Sequence, residues 1–300
     1  MRTIIVFVIV ACCVETILAQ QKETVSKAIK EDTAEKLYEK AFDYLRGENG
    51  ERIDSLKARE LFLKSAEMGY APAQCEYAFS EANDEISLKW FLKAASQNYP
   101  LAFWHVSKAY HEGSDNVPKD MDKARNYLEK GAELGDATCQ WMLGGNYHYG
   151  EDGYPVNAQK AFFWLEKAAN QNHITAMLEL GEIYKDGNIV KRNMAKALEW
   201  YNKASDLGDP VAKTALANAY EDGDGVEIDR EHAFNLVREA ASLGYDRAQL
   251  RLGMMFELGR GCEKDFHSAI YWYELAVKNG SGEVKETAEG LLRNLEQLGY

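Results

Sequence analysis

Residues 210–245 read PVAKTALANAYEDGDGVEIDREHAFNLVREAASLGY. Ala212, Leu216, Ala217 and Tyr220 fall at i, i+4, i+5 and i+8, one face of an α-helix. Gly223-Asp224-Gly225 interrupts that pattern, and Asp229 precedes a second helical run. Ala233, Leu236, Val237 and Ala240 share one face of this second helix. Gly244 stops it and Asp246 opens the next unit. The stretch is therefore a helix-turn-helix of 36 residues.

The same grammar runs through the chain. The residue that stops the second helix is Gly69, Asn98, Gly135, Asn172, Gly208, Gly244 or Gly280, at intervals of 29, 37, 37, 36, 36 and 36. Gly and Asn accept the left-handed conformation that ends a helix. The residue before each second helix is Asp54, Asn83, Asp120, Asn157, Asn193, Asp229 or Asp265, all side chains that cap a helix N-terminus. Four residues later stands Ala58, Ser87, Ala124, Ala161, Ala197, Ala233 or Ala269, and seven further on Ser65, Ala94, Gly131, Ala168, Ala204, Ala240 or Ala276. The first helices carry Ala41, Ala78, Ser107, Gly144, Gly181, Ala217 and Gly253. Small residues at these points let paired helices approach closely. Trp90, Trp164, Trp200 and Trp272 share one position of the second helix and are expected in the core. A fixed period of this size predicts a solenoid rather than a globular enzyme domain. The fold class is all-α, with about seven helix-turn-helix repeats over residues 34–281 and a capping helix over 282–300. The second repeat is short, because only Glu81 and Ala82 separate Ser80 from the cap Asn83.

Residues 176–204 carry Ala176, Leu180, Gly181, Tyr184, Gly187, Lys196, Ala197, Trp200, Tyr201, Lys203 and Ala204. This pattern resembles the Sel-one-like repeat (SLR) family, a cousin of the tetratricopeptide repeat. The resemblance implies a right-handed α/α superhelix whose first helices line a concave, protein-binding face.

The amino terminus differs from the rest. Arg2, the apolar run 4–14 and Ile17-Leu18-Ala19 compose a signal peptide over residues 1–19, followed by a polar lead-in over 20–33. The apolar run has 11 residues, too short to span a bilayer, and no later stretch supplies a transmembrane anchor. Ile9-Val10-Ala11-Cys12 resembles a lipoprotein cleavage box, which makes a lipid anchor at Cys12 the variant reading. The expected location is outside the cytoplasm, periplasmic or secreted, with a eukaryotic secretory-pathway lumen as the alternative. A formal net charge of −13 argues against nucleic-acid binding. Cys75, Cys139 and Cys262 lack the even count and spacing of a disulfide framework. The register places Cys139 and Cys262 at small buried positions.

Outward positions of the first helices compose a ladder. Its N-terminal rungs are Phe79, Trp104, Lys108, His111, Trp141, His148 and Tyr149, and its C-terminal rungs include Glu182, Asp186, Glu221, Asp222 and Glu257. Trp and Tyr dominate binding hot spots. The ladder predicts a protein or peptide groove, aromatic at one end, with an acidic rim selecting basic residues. His111 and His148 have only Glu112 as a further ligand, so no metal site is assigned. No cofactor motif is found. Gly-x-Ser-x-Gly, His-Glu-x-x-His, Cys-x-x-Cys and a phosphate loop are absent, as is the Ser-x-x-Lys of penicillin-binding enzymes. Ser114-Asp115-Asn116 stands alone in a loop. The expected function is a non-catalytic, exported scaffold that binds a protein or peptide. The alternatives are a β-lactamase-like or cell-wall-active SLR enzyme and a luminal secretory-pathway adaptor.

Overall fold

The computed structural model describes residues 33–300. The signal peptide, the Cys12 lipid-anchor reading and residues 20–32 of the lead-in lie outside the described residues. Among those described, all regular structure is helical apart from an isolated bridge between Ser114 and Val117. No helix among them is long and apolar enough to cross a membrane.

The chain divides into two compact units, the first ending at Asp136 and the second starting at Ala137. The first contains α1 (Ala34–Arg46), α2 (Ser55–Glu67), α3 (Ala71–Phe79), α4 (Asp84–Ser96), α5 (Pro100–Glu112) and α6 (Met121–Glu133). The second contains α7 (Ala137–Tyr149), α8 (Ala158–Ala169), α9 (Ile174–Asp186), α10 (Met194–Asp206), α11 (Pro210–Asp222), α12 (Arg230–Ser242), α13 (Asp246–Leu258), α14 (Phe266–Asn279) and α15 (Gly282–Gln297). Odd-numbered helices pair with the even-numbered helix that follows, giving seven hairpins, and α15 covers α14. α3 is 9 residues long against 13 for the other first helices, and the loop after it, residues 80–83, is also shorter than the others; together these account for the short second repeat.

Every cap position acts as one. The side chains of Asp54, Asn83, Asp120, Asn157, Asn193, Asp229 and Asp265 each accept a backbone N–H from the first turn of the helix they precede. Such a cap contributes about 1 kcal/mol. In six repeats the cap residue has a second duty. Its own N–H donates to a carbonyl near the end of the first helix: Asp54 to Tyr44, Asp120 to Tyr110, Asn157 to Tyr147, Asn193 to Tyr184, Asp229 to Tyr220 and Asp265 to Phe256, at 2.8–3.0 Å. One residue thus starts the second helix and fastens it to the first.

Packing between paired helices matches large to small. One column of second helices is buried throughout: Phe62, Phe91, Leu128, Leu165, Tyr201, Val237 and Tyr273. It faces the small column of the first helices. A Cβ built on Gly144 would lie 2.8 Å from Leu165, one on Gly181 2.3 Å from Tyr201, and one on Gly253 2.5 Å from Tyr273. Glycine is required at these three positions for close approach.

Three expectations are corrected. The recurrent tryptophans are half-buried, not core; the core column is the next residue along. Trp90, Trp200 and Trp272 press one side against the hydrophobic clusters. A lysine one turn on covers the ring, with Lys93 Nζ 3.6 Å from the Trp90 centroid and Lys203 Nζ 4.0 Å from that of Trp200. Cys139 is buried, but Cys262 is only half-buried, its thiol directed at the Met255 carbonyl. Six of the seven helix-stopping residues have positive φ, from 59° at Asn98 to 98° at Gly135, but Gly280 has φ −85°. Gly280 serves by lacking a Cβ, which would lie 2.5 Å from the Ala276 carbonyl oxygen.

Candidate functional site

The ladder residues fall in both units. Phe79, Trp104, Lys108 and His111 belong to the first, on α3 and α5. Trp141, His148, Tyr149, Glu182, Asp186, Glu221, Asp222 and Glu257 belong to the second, on α7, α9, α11 and α13.

In the first unit, Phe79 is exposed and meets Phe91 and His105 edge-on. His105 stacks flat on Phe91 at 4.7 Å. Burial pushes its imidazole pKa down to about 4. Phe91, His105, Lys108 and Glu112 line a cleft of about 290 Å³. Lys108 and Glu112 face each other at 3.9 Å. Trp104 is half-buried. Cys75, one turn before Phe79 on α3, is buried, and burial pushes its thiol up to about 12.

In the second unit much of the acidic rim is engaged within the chain. Glu182 accepts the Tyr201 hydroxyl and the Lys185 ammonium, each at 2.6 Å. Glu257 accepts the Tyr273 hydroxyl at 2.6 Å. Glu221 is paired with Arg251, which also donates to Asn218. These contacts tie the buried tyrosine column and neighbouring first helices together, and they remove Glu182, Glu221 and Glu257 from a free acidic surface. Asp186 and Asp222 remain exposed.

Trp141 is likewise no free anchor. Its ring stacks on His173 at 5.1 Å, and its Nε1–H donates to Glu179 Oε1 at 2.6 Å. Glu179 was not part of the ladder. It occupies the position just before the Leu column, where Glu76, His105, Met142, Ala215 and Arg251 stand in other repeats. Burial raises its carboxyl pKa, opposed by the Trp141 hydrogen bond. Among the described residues, its other oxygen, Oε2, is buried without a hydrogen-bond partner, and so is His148 Nδ1.

Both unpaired atoms belong to residues lining one cleft of about 300 Å³. Its walls are His148 and Tyr149 from the end of α7, Thr175, Leu178, Glu179, Glu182, Ile183 and Asp186 from α9, and Asn188 beyond it. Tyr149 is 61% exposed and stacks on His148 at 4.4 Å with the rings 5° from parallel. Four predicted residues thus meet here: His148, Tyr149, Glu182 and Asp186. The cleft offers carboxylates, an imidazole nitrogen and a flat aromatic face. Among the described residues no group of three or more His, Cys, Asp or Glu side chains is arranged to hold a metal ion.

A family model for the Sel1 repeat matches residues 41–70, 75–99, 101–136, 137–173, 174–209, 210–245 and 246–281. The chain belongs to the Sel1 repeat family. Two solved Sel1-type structures are similar to it. One is c5321, a protective antigen present in uropathogenic Escherichia coli strains and displaying an SLR fold; it is 29% identical with a TM-score of 0.74, over 93% of this chain and 60% of that one. The other is a Sel1 repeat protein from Oxalobacter formigenes, 26% identical with a TM-score of 0.67, over 86% of this chain and 76% of that one. Among curated proteins, cytochrome c oxidase assembly factor 7A of Xenopus laevis is 28% identical over 114 residues, 34% of this chain. The chain spans about half the length (49%) of that relative.

Proposed function

We propose that this Sel1 repeat protein is an exported, non-catalytic scaffold that binds a protein or peptide partner on its first-helix face, with the α7–α9 cleft as the recognition site. The observation that carries this reading is the unpaired Glu179 carboxylate oxygen in a cleft walled by the His148–Tyr149 stack, of which Tyr149 is exposed. A buried acceptor left without a partner costs about 1–3 kcal/mol. A scaffold built only for stability has no use for that cost, whereas a binding site recovers it when a donor arrives. Export rests on the signal-like residues 1–19. The similar E. coli protein, described as a protective antigen, is in keeping with a location outside the cytoplasm.

The variant Tyr149→Ala with Asp186→Ala tests the site, since both residues are exposed and their loss leaves the core intact. Affinity capture from the native host is expected to recover a partner with the wild-type chain and at least about tenfold less with the variant, a loss of about 1.4 kcal/mol. Equal capture by both places the interaction elsewhere.

A further inference from the structure

We infer that the cleft between α7 and α9 is a socket for an arginine side chain presented by the partner. This inference rests on the scaffold reading and specifies its chemistry. The exposed carboxylate of Asp186 lines the cleft, beside a Glu182 already held by Tyr201 and Lys185, and the protein as a whole carries −13. Two lining residues each carry a buried polar atom without a partner among the described residues, the acceptor Glu179 Oε2 and the imidazole nitrogen His148 Nδ1, which accepts when the ring proton sits on Nε2. Among the described residues Glu179 has no cation beside it, and its one hydrogen bond comes from the neutral Trp141 indole. The missing component is thus a cation with several N–H donors.

Three cations can be compared. A metal ion needs more oxygen or nitrogen ligands than any described cluster supplies. A lysine ammonium carries a compact charge and prefers to keep its water. A guanidinium is planar, weakly hydrated and has five donors in a fork. It can satisfy a carboxylate oxygen and an imidazole nitrogen together and lay its face on an aromatic ring. The flat Tyr149–His148 stack supplies that ring at the cleft wall. Leu178 and Ile183 offer apolar surface to the arginine methylenes.

Trp141 acquires a role in this arrangement. Its indole fixes one oxygen of Glu179 and leaves the other without a partner among the described residues. It is a positioning residue, which explains why a tryptophan stands at a rung where it touches its own chain.

The test uses the full chain and three blocked pentapeptides, Gly-Gly-X-Gly-Gly, with X as arginine, lysine or citrulline. Citrulline keeps the planar shape and loses the charge. Calorimetric titration is expected to show the arginine peptide binding in the range of about 1 mM or tighter, and at least about tenfold tighter than the other two. Glu179→Gln is expected to remove that preference. Its melting temperature should equal or exceed the wild-type value, since a neutral amide replaces a desolvated carboxylate, so lost binding is not lost folding. Citrulline binding as well as arginine, or Glu179→Gln retaining full affinity, overturns the socket. Equal binding of lysine overturns the guanidinium assignment. If a protein partner is captured at Tyr149 and Asp186 while the arginine peptide does not bind, the socket fails and the scaffold reading stands. If the arginine peptide binds as expected but no partner is captured, the scaffold reading is the one that fails.

Discussion

Gly181→Ala lowers the stability of the second unit by about 1–3 kcal/mol, the usual cost of forcing an extra methyl into a filled core. The sign is what makes this informative. In an exposed helix the same change gains about 1 kcal/mol, because glycine is the poorer helix former. Here the new Cβ would lie 2.3 Å from the Tyr201 ring, and that ring is 1% exposed, with its hydroxyl held by Glu182. The tyrosine has nowhere to go. The remedy is present one repeat later, where Ala217 and Val237 hold the corresponding positions. In a Tyr201→Val background, Gly181→Ala is expected to be neutral or stabilising. Urea unfolding of the wild type, both single variants and the double variant closes the cycle, with an expected coupling of about 1–3 kcal/mol. Additive effects, or a rise in midpoint for Gly181→Ala alone, contradict the large-to-small pairing of the two columns.

The second large effect is acid sensitivity at His105. The folded chain holds this imidazole near pKa 4 by burial between Phe79 and Phe91, whereas an unfolded histidine titrates near 6.5. Between those values the unfolded chain binds a proton that the folded chain refuses. Stability is therefore fully present above about pH 6.5 and is lost as pH falls toward 4. Asp136 favours the charged form and Lys108 opposes it; Asp84 and Glu112 line the same cleft. The contribution is on the order of 1 kcal/mol once solvent screening of a part-buried ring is allowed for. His105→Phe keeps the stack and removes the titration. Its melting temperature should fall less than the wild-type value between pH 7 and pH 4, two conditions chosen to bracket the shift. Parallel declines would show that His105 is not desolvated. The capping aspartates Asp120 and Asp265 have lowered pKa values from their backbone and side-chain hydrogen bonds, so they lose stability in acid equally in both chains.

The repeat was legible in the sequence because its punctuation is chemical. Seven Asp or Asn caps and seven Gly or Asn stops fixed the register, and each cap forms its bond. The interior was legible to within one residue. The tryptophans drew the eye as the largest apolar side chains, yet the next column is the one aimed between the helices. Gly144, Gly181 and Gly253 pointed to it, since a glycine in a helix interior asks what large group stands opposite. The acidic rim was overread, because sequence does not show that Tyr201, Tyr273 and Arg251 reach Glu182, Glu257 and Glu221. Glu179 was missed for the opposite reason. It stands in a column facing the neighbouring first helix, where Met142 and Ala215 sit at the same register. A carboxylate in a column of mixed, partly covered residues was the signal available.

Site-specific photo-crosslinking in the native host separates the two helix layers directly. A photoreactive residue replaces Asp186, exposed at the cleft mouth on α9, or Glu199, exposed on the second helix α10. The expected result is a discrete protein adduct from position 186 and none from position 199. An adduct from position 199 alone, or equal adducts from both, contradicts recognition on the first-helix face.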